Sequence, residues 1–300
     1  MLRFILLAVA GTAVLVSGSN NTLDFTVNPD GSGKAVVEMI LPPLPPEAAA
    51  GAADVMTAQL VKQMLLGTPD VEVWADVAVG KTDDGRLTFK GTAYFKDIAT
   101  VDLGPSKDDG VTWAKDDKGG MVLTVVTSGS KAPPAEASRP KLSEEEIAKQ
   151  VDQVRSEFKR RREAMGASMR SMKTELIYRL PGSVSDVTGF TRAKDESLRW
   201  TLEGVKMMAA ADKAMADDAF LRQCIIDGKD PIREVMMKQV LATLKARVSG
   251  DLKPLFDYAA EVKAAKEAYP KMLERLGLNA PPNKAETKTT TPLAPVETPK

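Results

Sequence analysis

The sequence predicts an α+β protein: an antiparallel β-sheet with helices packed on it, followed by a C-terminal helical segment. Three observations carry this. Stretches before residue 128 alternate apolar and polar side chains with period two. A stripe at helical spacing then runs from Ile147 to Met172, behind a Ser143–Glu146 capping box. A second period-two block, 175–202, is followed by helical pattern as far as Leu276. With 43% apolar and 27% charged residues among 300, the chain has enough apolar matter for a sizeable core and is not disordered throughout.

The elements follow in order. Leu23, Phe25 and Val27 alternate with polar residues, and Asn28-Pro29-Asp30-Gly31 has turn chemistry. Lys34 to Leu41 returns as the second strand of a hairpin, which Pro42, Pro43, Pro45 and Pro46 end. An Ala-rich helix is expected over about 47–66, with Val55, Met56, Leu60 and Met64 as its apolar stripe. Val71, Val73, Ala75, Val77 and Val79 are placed on one face of the next strand. After the Asp83-Asp84-Gly85 turn, Leu87, Phe89, Ala93 and Phe95 face the same core. A further hairpin turns at Asp116-Asp117-Lys118-Gly119. Residues 128–142 read as a linker of small residues and Pro.

The long helix from Ser143 to about Met172 carries near-heptad spacing, which Arg162 interrupts, so a helix docked on the sheet is expected rather than a coiled coil. Strands resume at 175–180, 184–190 and 198–202, the last two as a pair. Beyond Gly204 the pattern is helical to the end. Gly228 closes one helix, Asp230-Pro231 opens the next, and Ile232, Val235, Met236, Val240 and Leu244 form its stripe up to Gly250. A last helix spans about 254–276, with Pro270 inside it. The 279–300 tail, rich in Pro and Thr and without aromatics, is expected to be disordered.

The domain reading is therefore a signal peptide at 1–18, an α+β domain at 19–204 with a helical insertion at about 143–172, a C-terminal helical region at 205–278, and the tail. The signal rests on Arg3 and the thirteen-residue apolar run Phe4–Val16, too short for an ordinary span but right for an h-region. Val16-Ser17-Gly18-Ser19 has the shape of a bacterial lipidation box with Ser where the acylated Cys would stand. A free exported protein, periplasmic, envelope-associated or secreted, is expected, with no membrane span after signal removal.

Composition excludes much chemistry. There is no histidine, so no Ser-His or Cys-His nucleophile pair and no His-ligated metal exist. The single cysteine, Cys224, can form no intrachain disulfide. The 41 basic residues balance 41 acidic ones, so nothing points to nucleic acid. Residues 19–140 are net −6 and residues 141–278 net +4, so the halves attract. No P-loop, G-x-S-x-G, H-E-x-x-H or G-x-G-x-x-G motif occurs.

The Asp-rich turns lack the spacing of an EF-hand and read as hairpin turns. Lys159-Arg160-Arg161-Arg162 is the densest basic run, but consecutive helical residues point four ways, so it reads as a solvated face. The helical methionines, Trp200 and Cys224 read as core. No residue is assigned a catalytic, cofactor-binding or metal-ligating role, and no cofactor is expected.

Certain segments resemble the LppM-type domain of bacterial envelope lipoproteins. They are Leu23-Asp24-Phe25-Thr26-Val27-Asn28-Pro29-Asp30-Gly31-Ser32-Gly33, then Tyr94-Phe95-Lys96-Asp97-Ile98 at a strand end. Leu180-Pro181-Gly182-Ser183-Val184, Thr188-Gly189 and Leu198-Arg199-Trp200-Thr201-Leu202 follow in the order of that domain. The resemblance covers roughly 22–127 and 173–204. It departs at Ser19, and the helices after Gly204 fall outside it. It implies an envelope location and a binding or surface domain without known catalytic residues.

The reading is thus a non-catalytic exported envelope protein that binds lipid or another apolar ligand. The alternative is a protein-interaction or chaperone-like assembly module with an envelope protein partner. A continuous apolar cavity between sheet and helices would favour the first. A filled core with an exposed apolar helix face would favour the second.

Overall fold

The computed structural model describes residues 20–41, 50–103, 110–127, 142–240 and 242–278. The expected signal peptide, Ser19, the Pro42–Pro46 breaker, Asp108-Asp109, residues 128–141 of the linker and the 279–300 tail lie outside the described residues.

Strands β1 (Asn20–Val27) and β2 (Gly33–Ile40) form the expected hairpin, with Leu23 opposite Val37 and Phe25 opposite Ala35. Gly31 takes φ +88° in the turn, a conformation open to glycine. A Cβ on Gly33 would fall 2.6 Å from the Phe95 ring and 2.6 Å from the Thr26 carbonyl, so this position admits only hydrogen. Helix α1 (Ala50–Gly67) sets Val61 and Leu65 into the core. The side chains of Val55, Met56 and Leu60 in its expected stripe lie outside the described ones.

Strands β3 (Val71–Lys81) and β4 (Leu87–Phe95) pair antiparallel, and β4 also pairs with β2. Strands β5 (Gly110–Lys115) and β6 (Met121–Thr127) make the next hairpin. In its turn the Asp116 carboxylate accepts from the Lys118 and Gly120 amides, as Asp does in such turns. Helix α2 (Glu144–Met169) starts at the predicted capping box, with both reciprocal bonds present.

The chain then forms β7 (Lys173–Arg179), β8 (Ser183–Thr188), β9 (Thr191–Arg192) and β10 (Leu198–Glu203). Helices α3 (Gly204–Ala216), α4 (Asp218–Ile226) and α5 (Pro231–Val240) follow. Strand β11 (Ala242–Ser249) and helix α6 (Tyr258–Arg275) complete the described fold.

The fold is α+β, as expected, but it holds two sheets. The seven-stranded sheet runs β3-β4-β2-β1-β7-β10-β9 and the four-stranded sheet β5-β6-β11-β8. The first is mixed, because β1 and β7 are parallel. The long connection through α2 permits that direction, which a short hairpin could not. One buried cluster draws on both sheets: Leu23, Phe25, Val27, Phe89, Leu176 and Leu198 from the first, Leu123, Val125, Leu244, Ala246 and Val248 from the second. Phe25 stacks on Tyr178 at 4.9 Å within it.

Four expectations need correction. Residues 242–249 are a strand, so the region after Gly204 is not helical throughout. β11 lies between β6 and β8, with Leu244, Ala246 and Val248 buried. Strand β8 pairs with β11, not with β10, whose neighbours are β7 and β9. Helix α2 does not dock on the sheet. Its Ile147, Val151 and Phe158 pack with Met208, Ala211, Met215, Leu221 and Ile225 of α3 and α4, so the helices form a second core of their own. Lastly, β3 does not keep its valines on one face, for reasons of backbone geometry given below.

The methionines serve these helix contacts. Met207, Met208 and Met215 are buried, and Met172, Leu202, Met207 and Val240 join the helical layer to the sheet. Gly204 abuts the Met169 carbonyl so closely that a Cβ has no room.

Because both sheets share one core, Leu123→Ala is expected to cost about 2–5 kcal/mol and to keep a single urea-unfolding transition. An unchanged midpoint, or a transition split in two, would contradict the shared core.

Candidate functional site

Strand β3 is an edge of the seven-stranded sheet, and its parity is broken twice. The pairing with β4 slips between Val71 and Val73 and again between Ala75 and Ala78. At the second slip Asp76 adopts φ +53°, a left-handed conformation that Asp tolerates better than most residues. Val73 and Ala75 consequently face one apolar body, while Trp74 and Val77 face the inter-sheet core. Trp74 is 1% exposed and meets Phe89 edge-on at 5.6 Å.

The other body is α6. Asp257 caps it by accepting from the Ala260 amide. Val262 and Ala265 pack on Val73 and Tyr94, Met272 joins the inter-sheet core, and Tyr269 touches both clusters. The helix therefore crosses past the β3 edge, from the outer face of the sheet toward the core. Two polar networks fix its first half. The Lys34 ammonium pairs with Glu261 at 2.7 Å, and the Tyr94 hydroxyl donates to the same carboxylate at 2.9 Å. The Tyr258 hydroxyl donates to Glu72 at 2.8 Å, and the Lys266 ammonium reaches its other oxygen at 2.5 Å.

Between β3 and the second half of α6 lies a groove of about 810 Å³. Trp74, Ala75, Val77, Ala265, Ala268, Tyr269 and Met272 supply its apolar lining, and Asp76, Lys271, Glu274 and Arg275 its charged members. The buried Trp74 indole Nε1 has no hydrogen-bond partner among the described residues. The Arg275 guanidinium donates to the Val77 carbonyl at 2.8 Å.

A second, more polar cleft of about 730 Å³ lies between the β1–β2 turn and residues 252–258. There the side-chain Oδ1 of the buried Asn28 accepts from the Leu255 amide at 2.9 Å, and the Trp113 indole donates to the Pro29 carbonyl at 3.1 Å.

Proton chemistry in these places is quiet. Hydrogen bonding from Lys266 holds the Glu72 carboxyl below its ordinary range despite burial. Burial, then their carboxylate acceptors, push the Tyr94 and Tyr258 hydroxyls far up, so both stay protonated donors. Asp195 is held to about 2, chiefly by the Ser197 hydroxyl. Every described carboxylate with a shifted pKa moves down, away from the value a general acid needs near neutrality. No cluster of three or more His, Cys, Asp or Glu is placed to hold a metal among the described residues.

The residues singled out from sequence fall elsewhere. Cys224 is buried and its thiol pushed up, first by burial. In the basic run, Arg162 makes a bidentate pair with Asp212 and Arg161 pairs with Glu157 on an exposed helix face. Trp200 is half-buried between two clusters. The groove residues themselves carry no motif. Ala265 and Ala268 look like ordinary helix formers, and only the apolar spacing in 262–272 marks a packed face.

No family model matches the sequence, and no curated protein matches it. A search of solved structures finds the folded domain of LppM from Mycobacterium tuberculosis, determined by NMR, at a TM-score of 0.31 and 12% identity, covering 78% of this chain and 90% of that one. Similarity at that level leaves fold and function to be argued from this chain's own residues. No described helix is long and apolar enough to cross a membrane.

The Glu72 carboxyl sits below its unfolded value, so the stability it contributes is present above the ordinary Glu pKa and is lost as pH falls through the folded value. Urea midpoints are expected to drop below about pH 4.5, and Glu72→Gln is expected to flatten that decline. A variant with the same pH profile as the parent would remove Glu72 from the docking of α6.

Proposed function

We propose that this chain is a non-catalytic exported protein of the cell envelope that holds an apolar ligand, a lipid by class, between β3 and α6. The groove carries the reading. The open apolar volume lies at the edge of the inter-sheet core, where the buried Trp74, Val77 and Met272 supply its floor. Its walls suit an alkyl chain, and Lys271 and Arg275, set among Asp76 and Glu274, could meet a polar end. Export rests on residues 1–18. Absent catalytic motifs and downward-shifted carboxylates support a role without chemistry.

Incubating the mature protein with envelope lipid extract and measuring it by native mass spectrometry tests this. Retained lipid is expected at a stoichiometry near one, and Ala268→Trp, which fills the groove, is expected to abolish it. No retained lipid at any ratio would count decisively against the ligand.

One observation favours a second reading, a protein-interaction or chaperone-like module. Val205 of α3 and Ile226 of α4 stand 58% and 57% exposed on the helical layer. Crosslinking in cells followed by pull-down separates the two, because a carrier need not recover a stable protein partner.

A further inference from the structure

Helix α6 is held unevenly along its length. Its first half carries both polar networks: Tyr258 and Lys266 on Glu72, and Glu261 on Lys34 and Tyr94. Pro270 then interrupts the helix. It has no N–H to give the Lys266 carbonyl, and its ring crowds that carbonyl, so bending is easiest there. Beyond it, the polar hold on the sheet among the described residues is a single bond, from Arg275 to the Val77 carbonyl at 2.8 Å. The other holds are apolar, Met272 buried and Leu273, Leu276 and Leu278 half-buried against the core. This loosely held half forms one wall of the groove, through Lys271, Met272, Glu274 and Arg275. The acceptor it grips belongs to the bulge: Val77 lies in the slip where β3 leaves the register of β4.

We propose that residues 271–278 are a flap, hinged at Pro270 and latched by Arg275 on Val77, that opens and closes the groove between β3 and α6. The first half of α6 stays bolted to the sheet while the flap moves. Opening bares Trp74 and Val77 and widens the way to the edge of the core. Closing restores the guanidinium bond and covers the apolar floor. As a gate for an apolar ligand, this rests on the function proposed above. As a motion, it stands on the helix alone.

The test is native-state hydrogen exchange, followed by mass spectrometry on the ligand-free full chain. In the parent protein, amides of 271–278 are expected to exchange through openings that leave Val262–Lys266 protected. Arg275→Gln is expected to speed exchange in 271–278 and in β3 around Trp74–Val79 by about fivefold or more, with Tyr258–Lys266 unchanged. Pro270→Ala, which restores the helical bond, is expected to slow it.

If both halves of α6 exchange together in the parent and in Arg275→Gln, the helix moves as one body and the flap is lost. If Arg275→Gln leaves 271–278 at the parent rate, the latch is lost. Should Arg275→Gln fail to fold, the contrast between the two halves in the parent chain still decides. Because no lipid is present, failure of lipid retention in the earlier experiment leaves this result untouched, and the reverse also holds.

Discussion

A strand alternates its side chains between two faces, so one edge strand can serve two apolar bodies only if its parity is broken. In β3 the left-handed Asp76 and the two register slips break it. Without them, Val73 and Val77 would lie on the same face, and so would Trp74 and Asp76. Either α6 or the inter-sheet core would then lose its contacts. With them, Val73 and Ala75 receive α6 while Trp74 and Val77 close the core. The groove is the residue of that compromise: the helix crosses an edge that turns away beneath it, and the space is not filled.

Charge then locks in what burial decides. The acidic first half of the chain and the basic second half meet at Asp24–Arg179, Glu72–Lys266 and Asp116–Arg247, with Lys34–Glu261 reversed in sign. Each pair ties a strand or turn of the first 130 residues to an element that follows the long helix. Asp24–Arg179 spans the parallel β1–β7 pair, where no tight turn fixes the register. Half-exposed pairs of this kind stabilise little individually. Their sign pattern nonetheless favours one arrangement of the two halves over others, while the apolar cluster shared by both sheets supplies the energy.

The hairpins β1–β2, β3–β4 and β5–β6, the capping box of α2 and the Asp230 cap of α5 were legible, because turn chemistry and capping are local. What failed depended on partners far along the chain. Leu244, Ala246 and Val248 alternate as a strand should, but Leu244 also continues the stripe Val235–Val240 of α5, and Gly250 reads equally well as a helix stop. Only β6 and β8, waiting on either side, select the strand. The stripe of α2 was right and its target wrong, since a stripe says that a face is buried and not against what. The candidate site was the least legible part. It needs a left-handed Asp, which no pattern announces, and a Tyr94–Glu261 bond across 167 positions.

The chemistry of the site follows from how its polar groups are spent. Glu72 and Glu261 are the carboxylates that tie the first half of α6 to the sheet. Both accept from an ammonium and a phenol. The two tyrosine hydroxyls are held protonated by burial and then by the same bonds, and cannot act as nucleophiles near neutral pH. An apolar floor remains, with the buried Trp74 indole N–H, which has no partner among the described residues, and the Arg275 guanidinium bonded to the Val77 carbonyl. An apolar floor with a guanidinium in its lining matches the proposed guest, one that brings an acceptor along with hydrocarbon. An ester, a carboxylate or a phosphate at the end of an alkyl chain has that composition, whereas water alone would leave the floor exposed.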